Sequence, residues 1–278
     1  MGSMLKTTTK ILIVICLIGL SLLLYPTVSD YWNSKHATQA INTYVEQLQE
    51  IDPEQYRQLK NEAILYNSDL LKRENPFALT DELKERYYKC LDVSGTGVMG
   101  YVEIPKLEVS LPVYHGTSEN VLQHAIGHLD WTSLPTGGES THCVISGHRG
   151  LPSAKLFTDL DKLREGDRFT LAVLDEVLTY EVDRIRTVEP ADVDELLIEE
   201  GKDYCTLVTC TPYGINTHRL LVRGHRVETE RINSVHVVSE AVLIDELIVA
   251  SVVGFPVLLA LFLAVMLKKP EKKTAVKE

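Results

Sequence analysis

Two long uncharged apolar runs bracket this chain and decide what the rest of it can become. Ile11 to Val28 spans 18 residues without a charge, and Leu247 to Leu267 spans 21. Each is close to the roughly 20 residues a helix needs to cross hydrocarbon. Pro256 lies inside the second run, a placement that transmembrane helices tolerate. Lys6 and Lys10 precede the first run, and Lys268, Lys269, Lys272, Lys273 and Lys277 follow the second. Basic flanks stay in the cytoplasm, so the pattern predicts two spans, both termini inside and the middle exported. A cleaved signal peptide is the competing reading of the first run. Its length and the stretch Tyr25-Pro26-Thr27-Val28-Ser29 make a poor cleavage site.

Charge and cysteine usage narrow the middle segment further. The chain carries a formal charge of -11, but the flanks contribute +5, which leaves -16 on residues 29–246. An acidic exported segment is a poor match for nucleic acid. The five cysteines, Cys16, Cys90, Cys143, Cys205 and Cys210, are an odd number with no tight pair spacing. A disulfide framework is not indicated, and at least one free thiol is expected outside the cell.

The exported segment changes texture along its length. Ala37, Ile41, Tyr44 and Leu48 recur at helical spacing. A second helix is announced by Asp52 as N-cap and Pro53 in the first turn, with Tyr56, Leu59, Ala63 and Tyr66 on one face. These helices read as a stalk packed on a domain. Pro76 then stops any helix and holds Asn75 extended. From Gly97 onward the pattern is short β runs: 101–104, 109–114, 142–146, 168–174, 177–182, 204–209 and 219–227. Glycine and proline clusters separate them, with helical pieces near 119–125 and 193–197. Seven or eight short strands at this spacing predict a mainly β, closed or nearly closed barrel.

One stretch of that barrel carries chemistry. Thr206-Leu207-Val208-Thr209-Cys210 is a β-branched strand ending on a cysteine. A polar loop follows, and a second strand opens at Arg219. Pairing of the two strands would make Cys210 and Arg219 neighbours at one rim. A guanidinium there favours both a thiolate and an oxyanion formed from a substrate. Along the first strand Thr206, Val208 and Cys210 share one face, and Cys205, Leu207 and Thr209 the other, so Cys205 reads as a core residue. A proton carrier stands sixty-two residues before Cys210, where Val144-Ile145-Ser146 delivers His148 to a rim between Gly147 and Gly150.

These motifs resemble the sortases, cysteine transpeptidases of Gram-positive surfaces, over roughly Val93 to Val227. Cys210 ends a Thr-Leu-x-Thr-Cys motif, Arg219 follows nine residues later, and His148 is followed by Arg149-Gly150. The resemblance implies a sortase-type closed β-barrel with short helices. It makes Cys210 the nucleophile, His148 the general acid and base, and Arg219 the stabiliser of the oxyanion. It is closer to class C, the pilus-building branch, whose lid crosses the active site on an Asp-Pro-aromatic motif. There the acid meets the catalytic arginine and the ring covers the cysteine. Pro76 and Phe77 match that motif, but Asn75 replaces the acid, so the latch is expected to be weaker; Glu74 is a candidate substitute.

The chain is accordingly divided into a cytoplasmic tail and first span (1–28), a helical stalk and lid (29–92, lid around 74–77) and a catalytic barrel (93–230). A linker (231–246), a second span (247–267) and a basic tail (268–278) complete it. By resemblance the substrates are pilins or surface proteins bearing LPxTG-like sorting signals, and no cofactor is implied. His142, Cys143, Cys205, Cys210, His218 and His225 lack the spacing of a zinc site. Leu134-Pro135-Thr136-Gly137 imitates a sorting signal but is one residue short and reads as a turn. The C-terminal apolar run with its basic tail imitates the end of a sortase substrate, yet no Pro and no Thr-Gly occur in 237–245. Two alternatives remain: a housekeeping sortase that anchors proteins to peptidoglycan, and a non-catalytic pilus assembly factor.

Overall fold

The structure is a computed structural model and describes residues 2–229 and 259. The predicted linker 231–246, second span 247–267 and tail 268–278 lie outside the described residues, Leu259 excepted. The chain divides into two compact units near Asp30. Helix α1 runs continuously over Gly2–Glu50 and includes Pro26. Within the first unit its apolar side chains face outward, among them Ile15, Leu22 and Leu23. An outward apolar surface on a helix of this length suits lipid. Among the described residues one helix is long and apolar enough to cross a membrane.

The second unit is a closed barrel dressed with helices. Eight strands, β1 (Val98–Ile104), β2 (Val109–His115), β3 (Ile126–His128), β4 (Thr141–Ser146), β5 (Arg168–Val173), β6 (Glu176–Val188), β7 (Asp203–Thr211) and β8 (His218–Val227), form it. They close in the order β1-β2-β3-β4-β7-β8-β6-β5. The pairs β2·β3 and β4·β7 are parallel and the others antiparallel. Val102, Ile104, Ile145, Phe169, Leu171, Leu207 and Val222 fill the interior. Closure removes the exposed sheet edges that would otherwise template aggregation.

The sequence reading missed β3, whose three residues include Gly127. A Cβ at that glycine would stand 2.1 Å from the carbonyl oxygen of Gly116. Only a bare backbone fits there, and that requirement does not look like a strand in a propensity reading. Strand β6 runs six residues beyond the expected end at Val182, past a register shift between Val182 and Arg184. Its second half is partly exposed, which hid it from a pattern of burial.

The N-terminal helices seal one side of the barrel through buried polar ties. The Tyr44 hydroxyl accepts from Leu174 N at 2.7 Å and donates to Met99 O at 3.3 Å. Burial pushes its pKa up to about 12, so it stays a neutral donor. Helix α2 (Pro53–Leu71) starts as its sequence announces, with the Asp52 carboxylate accepting from Glu54 N at 2.8 Å and Gln55 N at 3.0 Å. Its buried face carries Ala63, Tyr66 and Leu70. Between them Asn67 pairs twice with one backbone residue: its amide oxygen accepts from Leu134 N at 2.7 Å and its amide nitrogen donates to Leu134 O at 3.1 Å. The sorting-signal look-alike at 134–137 is thus a fixed turn whose first residue is fully buried. Helix α3 (Asp81–Lys89), capped by Thr80, presses Tyr87 into the core.

Candidate active site

Strand β7 sorts its side chains as the alternation requires. Cys205 and Leu207 point into the barrel. Val208 packs on the outer face with Val144, Leu196 and Leu221. Cys210 is two residues past Val208 on that same outer face, at the end of the strand, and is partly exposed. Burial holds the Cys205 thiol protonated by pushing its pKa well up. It stands opposite Cys143 on β4, and both are buried. Position on the strand, not residue type, separates the accessible sulfur from the buried pair.

Antiparallel pairing of β7 with β8 sets Cys210 directly opposite Arg219. Paired side chains project from the same face of a sheet, with their Cβ atoms about 5 Å apart. The Arg219 guanidinium donates through Nη1 to His218 O at 3.2 Å and, at the limit of bonding, to Asn216 O at 3.5 Å. No carboxylate among the described residues forms an ion pair with it. The cation therefore keeps donors for an incoming group, and Glu74 does not neutralise it.

His148 arrives from the other side of β7. Strands β4 and β7 run parallel with a constant offset of sixty-two residues, from Thr141 opposite Asp203 to Ser146 opposite Val208. Gly147 N continues the ladder to Val208 O at 3.0 Å, and the Thr209 hydroxyl donates to Gly147 O at 2.8 Å. His148 is the next residue, and the same offset continued beyond the ladder would bring it level with Cys210. Neighbouring strands lie about 4.8 Å apart, so β4, β7 and β8 are adjacent at this rim. Gly147 has to be glycine, because a Cβ would meet Ile126 at 2.7 Å and Phe157 at 2.8 Å. Cys210 and Arg219 are thus paired on neighbouring strand ends, and β4, on the other side of β7, ends two residues before His148.

The lid motif forms a turn between α2 and α3. Asn75 does not reach Arg219; its side-chain oxygen accepts from Phe77 N at 3.0 Å and so caps the turn. The Phe77 ring stands edge-on to Trp131, with centroids 5.2 Å apart. Arg73 ties the same two segments by donating to Trp131 O at 2.9 Å and Ala78 O at 3.3 Å. Trp131 in turn packs against the outer cluster that contains Val208. Sequence reasoning missed Trp131 and Arg73, since neither sits in a motif and their roles exist only across loops.

Among the zinc candidates, His142 is held by hydrogen bonds at both ring nitrogens. His142 Nδ1 lies 2.9 Å from Leu197 O and Nε2 lies 2.7 Å from the Thr206 hydroxyl. A carbonyl only accepts, so Nδ1 carries the proton and Nε2 accepts from Thr206. Burial lowers the pKa of this ring to about 4. No cluster of three metal-ligating side chains occurs among the described residues.

Fold and rim together define a closed eight-stranded barrel that displays one thiol paired across the sheet with an arginine, with a histidine two residues past the end of the next strand. Comparison with known proteins gives that class its family. A family model described as "Sortase domain" matches residues 102–227. Sortase D of Bacillus subtilis is 30% identical over 131 residues, covering 46% of this chain and 63% of its own length, so the chain spans less than two thirds of that curated relative. The crystal structure of sortase C1 from Streptococcus agalactiae superposes with a TM-score of 0.67 at 52% identity, covering 69% of this chain and all of that one. The Streptococcus pneumoniae sortase C structure, described as bearing on catalysis and pilin substrate specificity, gives 0.62 at 46% identity over 69% and 97%. The chain belongs to the sortase family.

Proposed function

We propose that this protein is a class C sortase, a membrane-anchored cysteine transpeptidase that polymerises pilins. The observation that carries the reading is the pairing of Cys210 with Arg219 beside β4, the strand that leads to His148. The Cys210 sulfur attacks the Thr-Gly carbonyl carbon of an LPxTG-like sorting signal, forming a C–S bond. Arg219 donates to the oxygen as it gains charge, a contribution that strengthens only in the tetrahedral state. The C–N bond breaks, and the glycine amine leaves with a proton from His148. A lysine amine of a second pilin then attacks the thioacyl carbon and gives a proton to His148. The thiolate departs, and an isopeptide bond remains.

The pilus branch is favoured over the housekeeping branch by Pro76 and Phe77, by the second apolar run and by 52% identity to a sortase C1. Under this reading residues 29–92 are stalk and lid, 93–230 the extracellular catalytic barrel, and 1–28 and 247–267 the spans, with both termini cytoplasmic. Substrates held in the same membrane by their own tails meet the enzyme at raised effective concentration. The test is expression of the full chain with a candidate pilin. Cys210→Ala is expected to abolish covalent pilin ladders on denaturing gels, with lysine-to-threonine linkages found by mass spectrometry only in the unaltered enzyme. Ladders of normal intensity from Cys210→Ala would leave the binding-factor alternative standing.

A further inference from the structure

The segment that carries His148 is clamped from two sides by groups that the proposed chemistry leaves unused. On one side the chain folds back on itself: Phe157 N donates to His148 O at 3.1 Å, and Gly150 N donates to the Thr158 hydroxyl at 3.1 Å. On the other side stands Tyr213, in the loop between Cys210 and Arg219. Its ring lies so close to Gly150 that a Cβ there would sit 2.9 Å from it, and Gly150 has a φ of +76°. Arg149 joins the two sides. Its guanidinium lies over the Tyr213 ring, 5.7 Å from the centroid, and its Nη2 pairs with Asp161 at 2.6 Å. The side chain is only 9% exposed, and its Nε is buried without a hydrogen-bond partner.

Leaving a buried arginine donor unsatisfied is destabilising, so the placement is not explained by fold stability alone. Geometry supplies a reason. Arg149 is the residue next to His148, and Tyr213 is three residues from Cys210. A cation–π contact between them fixes the spacing of the two strand ends independently of the ladder that stops at Gly147. We infer that Arg149 and Tyr213 are positioning residues that hold the His148 imidazole at the distance and angle needed to protonate the amine leaving from the Cys210 adduct. The inference rests on the catalytic reading of Cys210 and His148.

A misplaced general acid slows only those reactions that need the acid. Cleavage of an amide requires a proton on the departing nitrogen, whereas an activated aryl ester expels a phenolate unaided. Full-length protein in detergent is assayed on a sorting peptide and on an aryl ester of the same acyl sequence. Arg149→Met and Tyr213→Ala are expected to lower kcat on the amide by roughly ten- to a hundredfold, the range for about 1 Å of displacement, with KM within about threefold. On the ester both variants stay within about threefold of the unaltered enzyme in the burst of phenolate released on acylation, before the shared step in which His148 takes a proton. Tyr213→Phe, which keeps the ring, restores the amide rate.

The loss is also expected to vanish in the background of His148→Ala, because the two positions act as one unit. Equal losses on amide and ester, or a loss that multiplies with that of His148→Ala, would overturn the inference and leave a merely structural contact. An unimpaired His148→Ala enzyme would be a different failure: it removes the general-acid assignment itself, and this inference with it.

Discussion

Replacing Phe77 by alanine isolates what holds the proposed lid down. The ring is 44% exposed, so a little over half of it is out of water. Complete burial of a phenylalanine side chain contributes roughly 1.5–3 kcal/mol, which makes the buried part worth about 1 kcal/mol. The edge-on pair with Trp131 adds about another 1 kcal/mol. Losing about 2 kcal/mol changes the ratio of docked to undocked lid by roughly thirtyfold. If the docked turn shields the proposed nucleophile, a bulky thiol reagent reaches Cys210 only from the undocked state, so its second-order rate should rise by up to about that factor. The assay is alkylation of full-length protein in detergent, with peptide mapping to assign the label. Trp131→Ala should give a similar rise, and the double variant little more, because both remove one contact. A Phe77→Ala rate within about twofold of the unaltered protein, with hydrogen exchange showing the turn released, would refute shielding by this lid.

Two further outcomes test how the barrel is held together. In the folded chain burial keeps His142 neutral down to about pH 4, whereas an unfolded imidazole takes up its proton near 6.5. Stability is therefore full above about pH 6.5 and falls by up to about 3 kcal/mol as pH drops toward 4, because the unfolded state binds the proton first. His115, lowered by burial in the same direction, adds to the slope. Arg223 opposes the charge on His142, while Glu199 and Asp183 favour it. Chemical denaturation of His142→Gln across that window should give a flatter curve; one parallel to the unaltered protein would remove His142 from the account. Asn67→Ala strands the N–H and C=O of Leu134 in a buried site, at a cost of about 3 kcal/mol. Its thermal midpoint should fall by about 10 °C, and a fall under 2 °C would mean that α2 is not docked through this residue.

What the sequence disclosed depended on how locally each feature is encoded. The hairpin that pairs Cys210 with Arg219 is short, so strand alternation and loop length placed the two together. The start of α2 was equally plain, since Asp52 and Pro53 act within one turn. His148 was recognised through its resemblance; the parallel β4·β7 ladder that precedes it is announced by no local pattern. Strand β3 escaped because three residues around a glycine carry no periodicity. Helix α3 went unread although Thr80 caps it, because its nine residues are mostly polar. The edge-on contact of Phe77 with Trp131 and the stacking of Arg149 on Tyr213 join residues 54 and 64 positions apart, and neither pair has a motif. Asn75 was expected to face the guanidinium more weakly than an acid would. Instead it serves its own turn, an Asx contact that competes with any longer reach.

The odd spacing of Cys205 and Cys210 along β7 has a practical result. Of the four cysteines beyond the first apolar run, Cys90, Cys143 and Cys205 are 3% exposed or less, and Cys210 alone is in reach of solvent. Once Cys16, the exposed cysteine of the first apolar run, is replaced, a fluorophore or spin label can therefore be installed at Cys210 selectively. With that one replacement the chain offers a single addressable handle beside the loop that joins β7 to β8.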